Sequence, residues 1–201
     1  DTIKCWGYNA NGELGQGDTN NRGDAANEMG DNLAAIDLGS GFDVVDSCGS
    51  DVTISETVLY DETSTLYSCS NQDLMGAYHT CFMSSTGSLK CWGYNPYGNL
   101  GYGDTTNRGS SGGQMGDSLA IVDVGTGRTV VRGTGGWISE CVILDNTDLK
   151  CWGYNLYGQL GYGHDFDVGA TSTRTAMTEG DVPIDVPVES VALGFDHTCV
   201  L

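Results

Sequence analysis

A chain of 201 residues with 27 acidic and 8 basic side chains carries a formal charge of −19, so condensation on nucleic acid or on an anionic membrane surface is electrostatically unfavourable. No apolar run approaches the roughly 20 residues that cross a bilayer as a helix, and membrane insertion is not expected. With 31 glycines against 3 prolines, many tight turns joining short strands are expected, in one domain over 1–201. Eight cysteines without a C-x-x-C pair point to an oxidising, extracellular setting. Asp1 is not preceded by a basic and apolar leader, so any export signal is expected to have been removed or to lie outside these residues.

In chain order, the first unit runs from Cys5 to Val45 and matches Cys91 to Val131 without a gap, 86 residues on. The match covers C-W-G-Y-N, an L-G-x-G-D-T-x-N-R-G run and an M-G-D-x-L-A-x-x-D-x-G run. Between them a degenerate unit at about 46–70 reads as an extra hairpin. A third unit starts at Cys151, where Cys151-Trp152-Gly153-Tyr154-Asn155 repeats the motif; from His164 to Gly180 its middle is rewritten. Upstream of these motifs stand Ala77-Tyr78-His79-Thr80-Cys81 and Ile138-Ser139-Glu140-Cys141, and a third such element, Phe195-Asp196-His197-Thr198-Cys199, lies near the end. Leu89 to Tyr94 alternates in the manner of a strand, glycines 98, 101 and 103 are too close for a helix, and one short helical turn is allowed at 116–119.

These H-T-C and K-C-W-G-x-N-x-x-G-x-L-G-x-G patterns resemble the regulator of chromosome condensation repeat family across essentially all 201 residues. The resemblance implies an all-β chain, a β-propeller in which each repeat supplies a four-stranded antiparallel blade and family members usually close a ring of seven. Three clear blades and one degenerate unit fall short of that ring, so the chain reads as part of a larger or assembled propeller.

Cys81 and Cys91 are symmetric about a turn at Thr86, as are Cys141 and Cys151 about Asn146. Symmetric positions in an antiparallel hairpin face each other within disulfide reach, so the expected bonds are Cys81–Cys91 and Cys141–Cys151. Cys48 and Cys69 most simply pair with each other. The family pattern accounts for Cys5 and Cys199: one belongs to a K-C-W whose H-T-C is missing, the other to an H-T-C whose K-C-W is missing. Either the chain is a piece of a longer repeat protein, or Cys199 meets Cys5 across the chain ends or between copies.

Lys4, Lys90, Lys150, Arg22 and Arg108 recur at fixed repeat positions, which marks structural duty through pairing with carboxylates rather than a substrate patch. Trp6, Trp92 and Trp152 are expected to pack between blades with Tyr8, Tyr94 and Tyr154 beside them; sugar stacking is the alternative. His79 and His197 read as packed strand residues and His164 as isolated. Asp18, Asn20, Asn21, Asp104 and Asn107 could offer oxygens to calcium, but Asx turns explain the same composition. No N-glycosylation acceptor occurs; the Thr- and Ser-rich loops at 105–111 and 171–175 could carry O-glycan. No catalytic residues, cofactor or metal site are expected.

The expected role is therefore a non-enzymatic extracellular structural, assembly or adhesion module that binds other proteins, copies of itself head to tail among them, as in a fibre or surface array. A secreted monomeric binding or inhibitor propeller is the alternative, and a small-GTPase exchange factor a weaker one. Screening by salt is expected to favour assembly of units this acidic.

Overall fold

A computed structural model describes residues 3–44 and 72–201. Within them the chain is all-β apart from two short 3-10 turns. The strands are β1 (Gln72–Asp73), β2 (His79–Met83), β3 (Leu89–Gly93), β4 (Val130–Gly135), β5 (Ser139–Leu144), β6 (Leu149–Gly153), β7 (Val191–Leu193) and β8 (Thr198–Val200). One of the turns, Gly116–Ser118, falls at the allowed helical position; the other, Gly30–Asn32, is its first-unit counterpart and was not anticipated. The expected hairpin at 46–70 and the Cys48 and Cys69 positions lie outside the described residues.

The most complete blade is a four-stranded sheet in the order β1-β4-β5-β6, antiparallel throughout except that β1 runs parallel to β4. β2 and β3 form a hairpin, and β7 and β8 form another. Residues 74–77 tie the first hairpin to the four-stranded sheet: Cys81 N–H donates to Leu74 O, and Ala77 N–H donates to Gly136 O. Backbone donors and acceptors on the inner edges are thereby consumed between blades rather than left open.

The two K-C-W hairpins are superposable in register. Cys81 faces Cys91 and Cys141 faces Cys151, each pair with Cα atoms 4.1 Å apart and bonded through sulfur. Such cross-strand cystines persist in oxidising surroundings. Each closes a loop of ten residues' separation, so replacing Cys141 and Cys151 together by serine is expected to cost about 2–3 kcal/mol, read as a lower urea midpoint under non-reducing conditions. An unchanged midpoint would show that packing alone holds the hairpin.

Around the cystines lies the main core, which includes Leu74, Leu89, Leu100, Val122, Val142, Leu149, Trp152 and Leu160. A second cluster gathers Ile3, Ile36, Leu38, Trp92 and Leu119. The D-x-G segment of every unit returns to the strand before K-C-W by one equivalent bond: Ile36 N–H to Ile3 O, Val122 N–H to Leu89 O, and Val182 N–H to Leu149 O. The rewritten third unit preserves this closure although its sequence has drifted. No helix among the described residues is long and apolar enough to cross a membrane.

Candidate interaction surfaces

Every C-W-G-Y-N motif ends on an asparagine that is fully buried: Asn9, Asn95 and Asn155. The Asn95 Nδ2 donates to Asp104 O (2.9 Å) and Thr106 O (3.1 Å), its Oδ1 accepts from Leu100 N–H (2.9 Å), and its own N–H donates to Asn107 Oδ1 (2.9 Å). Asn9 repeats this with Asp18 O, Asn20 O, Leu14 N–H and Asn21 Oδ1; Asn155 does so with His164 O, Phe166 O, Leu160 N–H and Asp167 Oδ1. One side chain thus folds the glycine-rich loop of each blade. The motif by itself does not reveal this duty. The recurrence of Asn in all three units, the third of them otherwise divergent, is the signal for it.

The candidate calcium oxygens are spent inside these loops. Asp18 Oδ1 accepts from Asn20 N–H and Asp104 Oδ1 from Thr106 N–H as Asx turns, while their second oxygens bind Arg22 (2.6 Å) and Arg108 (2.8 Å). The hydrogen bond from Arg108 leads the effects that hold the Asp104 carboxyl below its ordinary range. In the third unit both partners change together: His164 stands for the aspartate, Val168 for the arginine. His164 is not isolated, since its Nε2 lies 2.6 Å from Glu179 and its ring stacks on Tyr162.

Two of the three lysines depart from the expected carboxylate pairing. Lys4 donates to Gly30 O, Lys90 to Gly116 O and Leu38 O, and Lys150 to Ala176 O and Gly180 O. Residues 30, 116 and 176 are equivalent, so the ammonium caps the carbonyls of a turn that ends with oxygens aimed inward. Only Lys150 adds a carboxylate, Asp181 at 3.0 Å.

Blades dock through a repeated socket. Trp92 Nε1 donates 3.0 Å to Glu13 O of the preceding unit, and Trp152 Nε1 donates 3.0 Å to the equivalent Asn99 O. Both indoles are 0% exposed, which removes sugar stacking at these two positions and leaves interblade packing. A Cβ built on Gly12 would fall inside the backbone of Gly109 and Ser110, and one on Gly98 inside that of Gly169 and Ala170, so adjacent units touch glycine to backbone. Thr80 Oγ1 joins Trp92 at Glu13 O. Glu140, at the threonine's position in the next unit, instead meets the buried His79 Nε2 at 3.0 Å across the blades. Burial pushes the His79 imidazole down to about 4.

At the third unit the same socket is formed. Gln159 O accepts from Thr198 Oγ1 (2.7 Å) as Glu13 O does from Thr80 Oγ1, a Cβ built on Gly158 would meet nothing nearer than 3.9 Å, and one on Gly161 would meet Val182 as one on Gly101 meets the equivalent Val122. Trp6, the remaining motif tryptophan, is half-buried and stands against Gly23 as Trp92 stands against Gly109.

Cys5 and Cys199 are free thiols here, so bonding across the chain ends does not occur in this structure. β8 carries Cys199 opposite Ala192 of β7, and its cysteine is exposed. Burial pushes the Cys5 thiol up to about 11. Brief iodoacetamide treatment at neutral pH is therefore expected to alkylate Cys199 well before Cys5, read by peptide mass; equal labelling would mean that the Cys5 segment opens readily.

The tyrosines of the motif do not sit beside the tryptophans. Gly7, Gly93 and Gly153, with φ of 114°, 104° and 102°, turn the chain after each tryptophan. Tyr8 emerges 59% exposed, while Tyr94 and Tyr154 join a surface row of rings. In that row Tyr94 touches Tyr78, Tyr78 touches Trp137, Trp137 stacks on Phe195 with centroids 4.0 Å apart, and Tyr154 bridges Trp137 to Tyr97 and Tyr157. His197 also departs from expectation: it is exposed and lies just before β8, with its ring over Gly194 where a Cβ would clash, as the His79 ring lies over Gly76.

Short hairpins and glycine-rich loops repeated three times, with tryptophans seated between blades at two boundaries, define an all-β propeller of repeated blades. Residues 75–99 match the regulator of chromosome condensation (RCC1) repeat, the family whose patterns the three units resemble. It is 26% identical over 216 residues to the ultraviolet-B receptor UVR8 of Arabidopsis thaliana, covering 98% of this chain and 46% of that protein. It is 27% identical over 126 residues to the X-linked retinitis pigmentosa GTPase regulator homolog of Caenorhabditis elegans, covering 63% of this chain and 8% of that one. The fold matches Prp20p of Saccharomyces cerevisiae, a structure reported together with its binding to Gsp1p and histones, with a TM-score of 0.53 at 16% identity over 100% of this chain and 39% of that one. The chain thus spans less than half the length of these relatives.

Proposed function

We propose that this chain is a non-enzymatic, secreted structural module that works by blade-to-blade docking, adding further repeats, copies of itself among them, head to tail. The observation that carries this reading is the Gln159–Gly161 socket. It repeats the backbone acceptor and glycines that receive Trp92 and Trp152, and Gln159 O takes the Thr198 hydroxyl as Glu13 O takes that of Thr80, so the docking geometry recurs at every unit. The Lys4-Cys5-Trp6-Gly7 segment has the composition that fills the other two sockets. Brought to β8 of another copy, it would set Cys5 against Cys199 as Cys91 is set against Cys81, and two thiols would close to a cystine given an external oxidant. Two cystines in the described residues fit an oxidising compartment, and Prp20p offers a precedent for protein partners on this fold.

Sedimentation of the 201-residue chain under oxidising conditions tests this. Oligomers that grow with protein concentration and with salt are expected, because screening relieves repulsion between units of charge −19. Gly158→Asn keeps a residue that tolerates φ of +74° and meets open space within the chain, but places a side chain where the next unit must approach. It should return the material to monomers without moving the melting temperature. A monodisperse wild-type monomer at every concentration and salt would overturn the reading.

A further inference from the structure

The row of rings on the surface lies beside the docking socket, with Tyr157 next to Gly158 and Phe195 just before β8, and its chemistry calls for a different partner. Phe195 is 56% exposed and Tyr157 67%, yet both are held in ring contact, through Trp137 and Tyr154 respectively, so the row presents flat, fixed aromatic faces rather than scattered side chains. Its rim is acidic. Asp196 follows Phe195, and its Oδ1 is shielded from water with no hydrogen-bond partner. The Tyr154 hydroxyl is pushed up, first by burial among the rings and then by Tyr157, Tyr97 and the charges of Asp196 and Asp167.

No cation of the chain serves these groups. All eight basic side chains are engaged elsewhere: Arg22 on Asp18, Arg108 on Asp104, Arg128 on Asp145, Arg174 on Glu179, Arg132 on Glu189 O, and the three lysines on turn carbonyls. Elsewhere the same chain stacks its own guanidinium groups on rings, Arg108 over Tyr102 at 4.0 Å and Arg174 over Phe166 at 4.7 Å, each also paired with a carboxylate. We propose that the Trp137–Phe195–Tyr154–Tyr157 row, with Asp196 and Asp167, binds an arginine-rich segment of a partner protein, guanidinium planes stacking on the rings and donating to the carboxylates. Arginine is favoured over lysine because its planar, weakly hydrated fork matches a flat ring and a carboxylate together. The negative field of the chain draws such a segment in.

Titration with hexa-arginine, hexa-lysine and maltohexaose, followed by Trp fluorescence and calorimetry at two salt concentrations, tests the inference. Hexa-arginine is expected to bind about tenfold more tightly than hexa-lysine. The Phe195→Ser/Tyr157→Ser double variant should weaken it by about tenfold or more, and Asp196→Asn by roughly three- to tenfold. Asp123→Asn, on a distant loop, should leave it unchanged, and an unaltered melting temperature checks that the variants fold. If the double variant does not fold, the Asp196→Asn and Asp123→Asn arms decide. Equal binding of the two peptides, or equal loss in Asp196→Asn and Asp123→Asn, would reduce the effect to diffuse attraction by an acidic chain and overturn the proposal. Binding of maltohexaose in place of hexa-arginine would overturn it in favour of a sugar platform.

Discussion

Trp152→Ala is expected to destabilise the fold by about 3–5 kcal/mol, among the largest effects of any single substitution in this chain. The indole is fully buried in the main core, so its removal leaves a cavity that the cystine at Cys141 and Cys151 prevents the sheet from collapsing to fill. Its Nε1 also satisfies Asn99 O across the blade boundary, and that carbonyl would be left without this donor in a dry environment. For a chain of this size the loss corresponds to a fall of roughly 6–20 °C in Tm, measured by thermal unfolding followed by circular dichroism. Trp6→Ala, at the half-buried equivalent, should cost distinctly less in the isolated chain. Equal losses at the two positions would show that full burial does not set the cost.

Asn95→Ala is expected to cost about 3–4 kcal/mol, more than an ordinary buried hydrogen-bonding residue, because one side chain serves three backbone groups at once. Asp104 O and Thr106 O would lose their donor and Leu100 N–H its acceptor, at a position with no exposure through which water could replace them. Asn95→Asp separates the number of donors from size. The carboxylate can still accept from Leu100 N–H, yet it would face two carbonyl oxygens with no proton to offer, so its cost at neutral pH should approach that of alanine. Urea denaturation measures both, and hydrogen exchange at Leu100 should accelerate in the alanine variant. A loss below about 1 kcal/mol for both variants would mean that the glycine turns hold the loop unaided.

The rewritten third unit shows which features of the repeat are indispensable. It gives up the Asp–Arg ion pair of its loop, replaced by His164 with Glu179 and by Val168 in the interior, but keeps Asn155, the Lys150 cap and the Trp152 anchor. A half-exposed i,i+4 ion pair contributes little and can be exchanged, whereas a buried asparagine bonded to three backbone groups has no ready substitute.

The sequence by itself determined the properties that depend on spacing along the chain. The offset between units, the antiparallel register that sets cysteine against cysteine, the strand at Leu89–Gly93 and the burial of Trp92 and Trp152 all follow from local periodicity. Neighbours in a hairpin are fixed by the count of residues to the turn. What only the tertiary structure decided involves partners far apart in the chain or a change of direction at a glycine. The Glu140–His79 contact, the turn carbonyls held by all three lysines, the exposure of His197 and the assembly of Tyr78, Trp137, Tyr154 and Phe195 into one row were not legible. Each depends on how blades sit against one another, and residue types alone do not encode that distance.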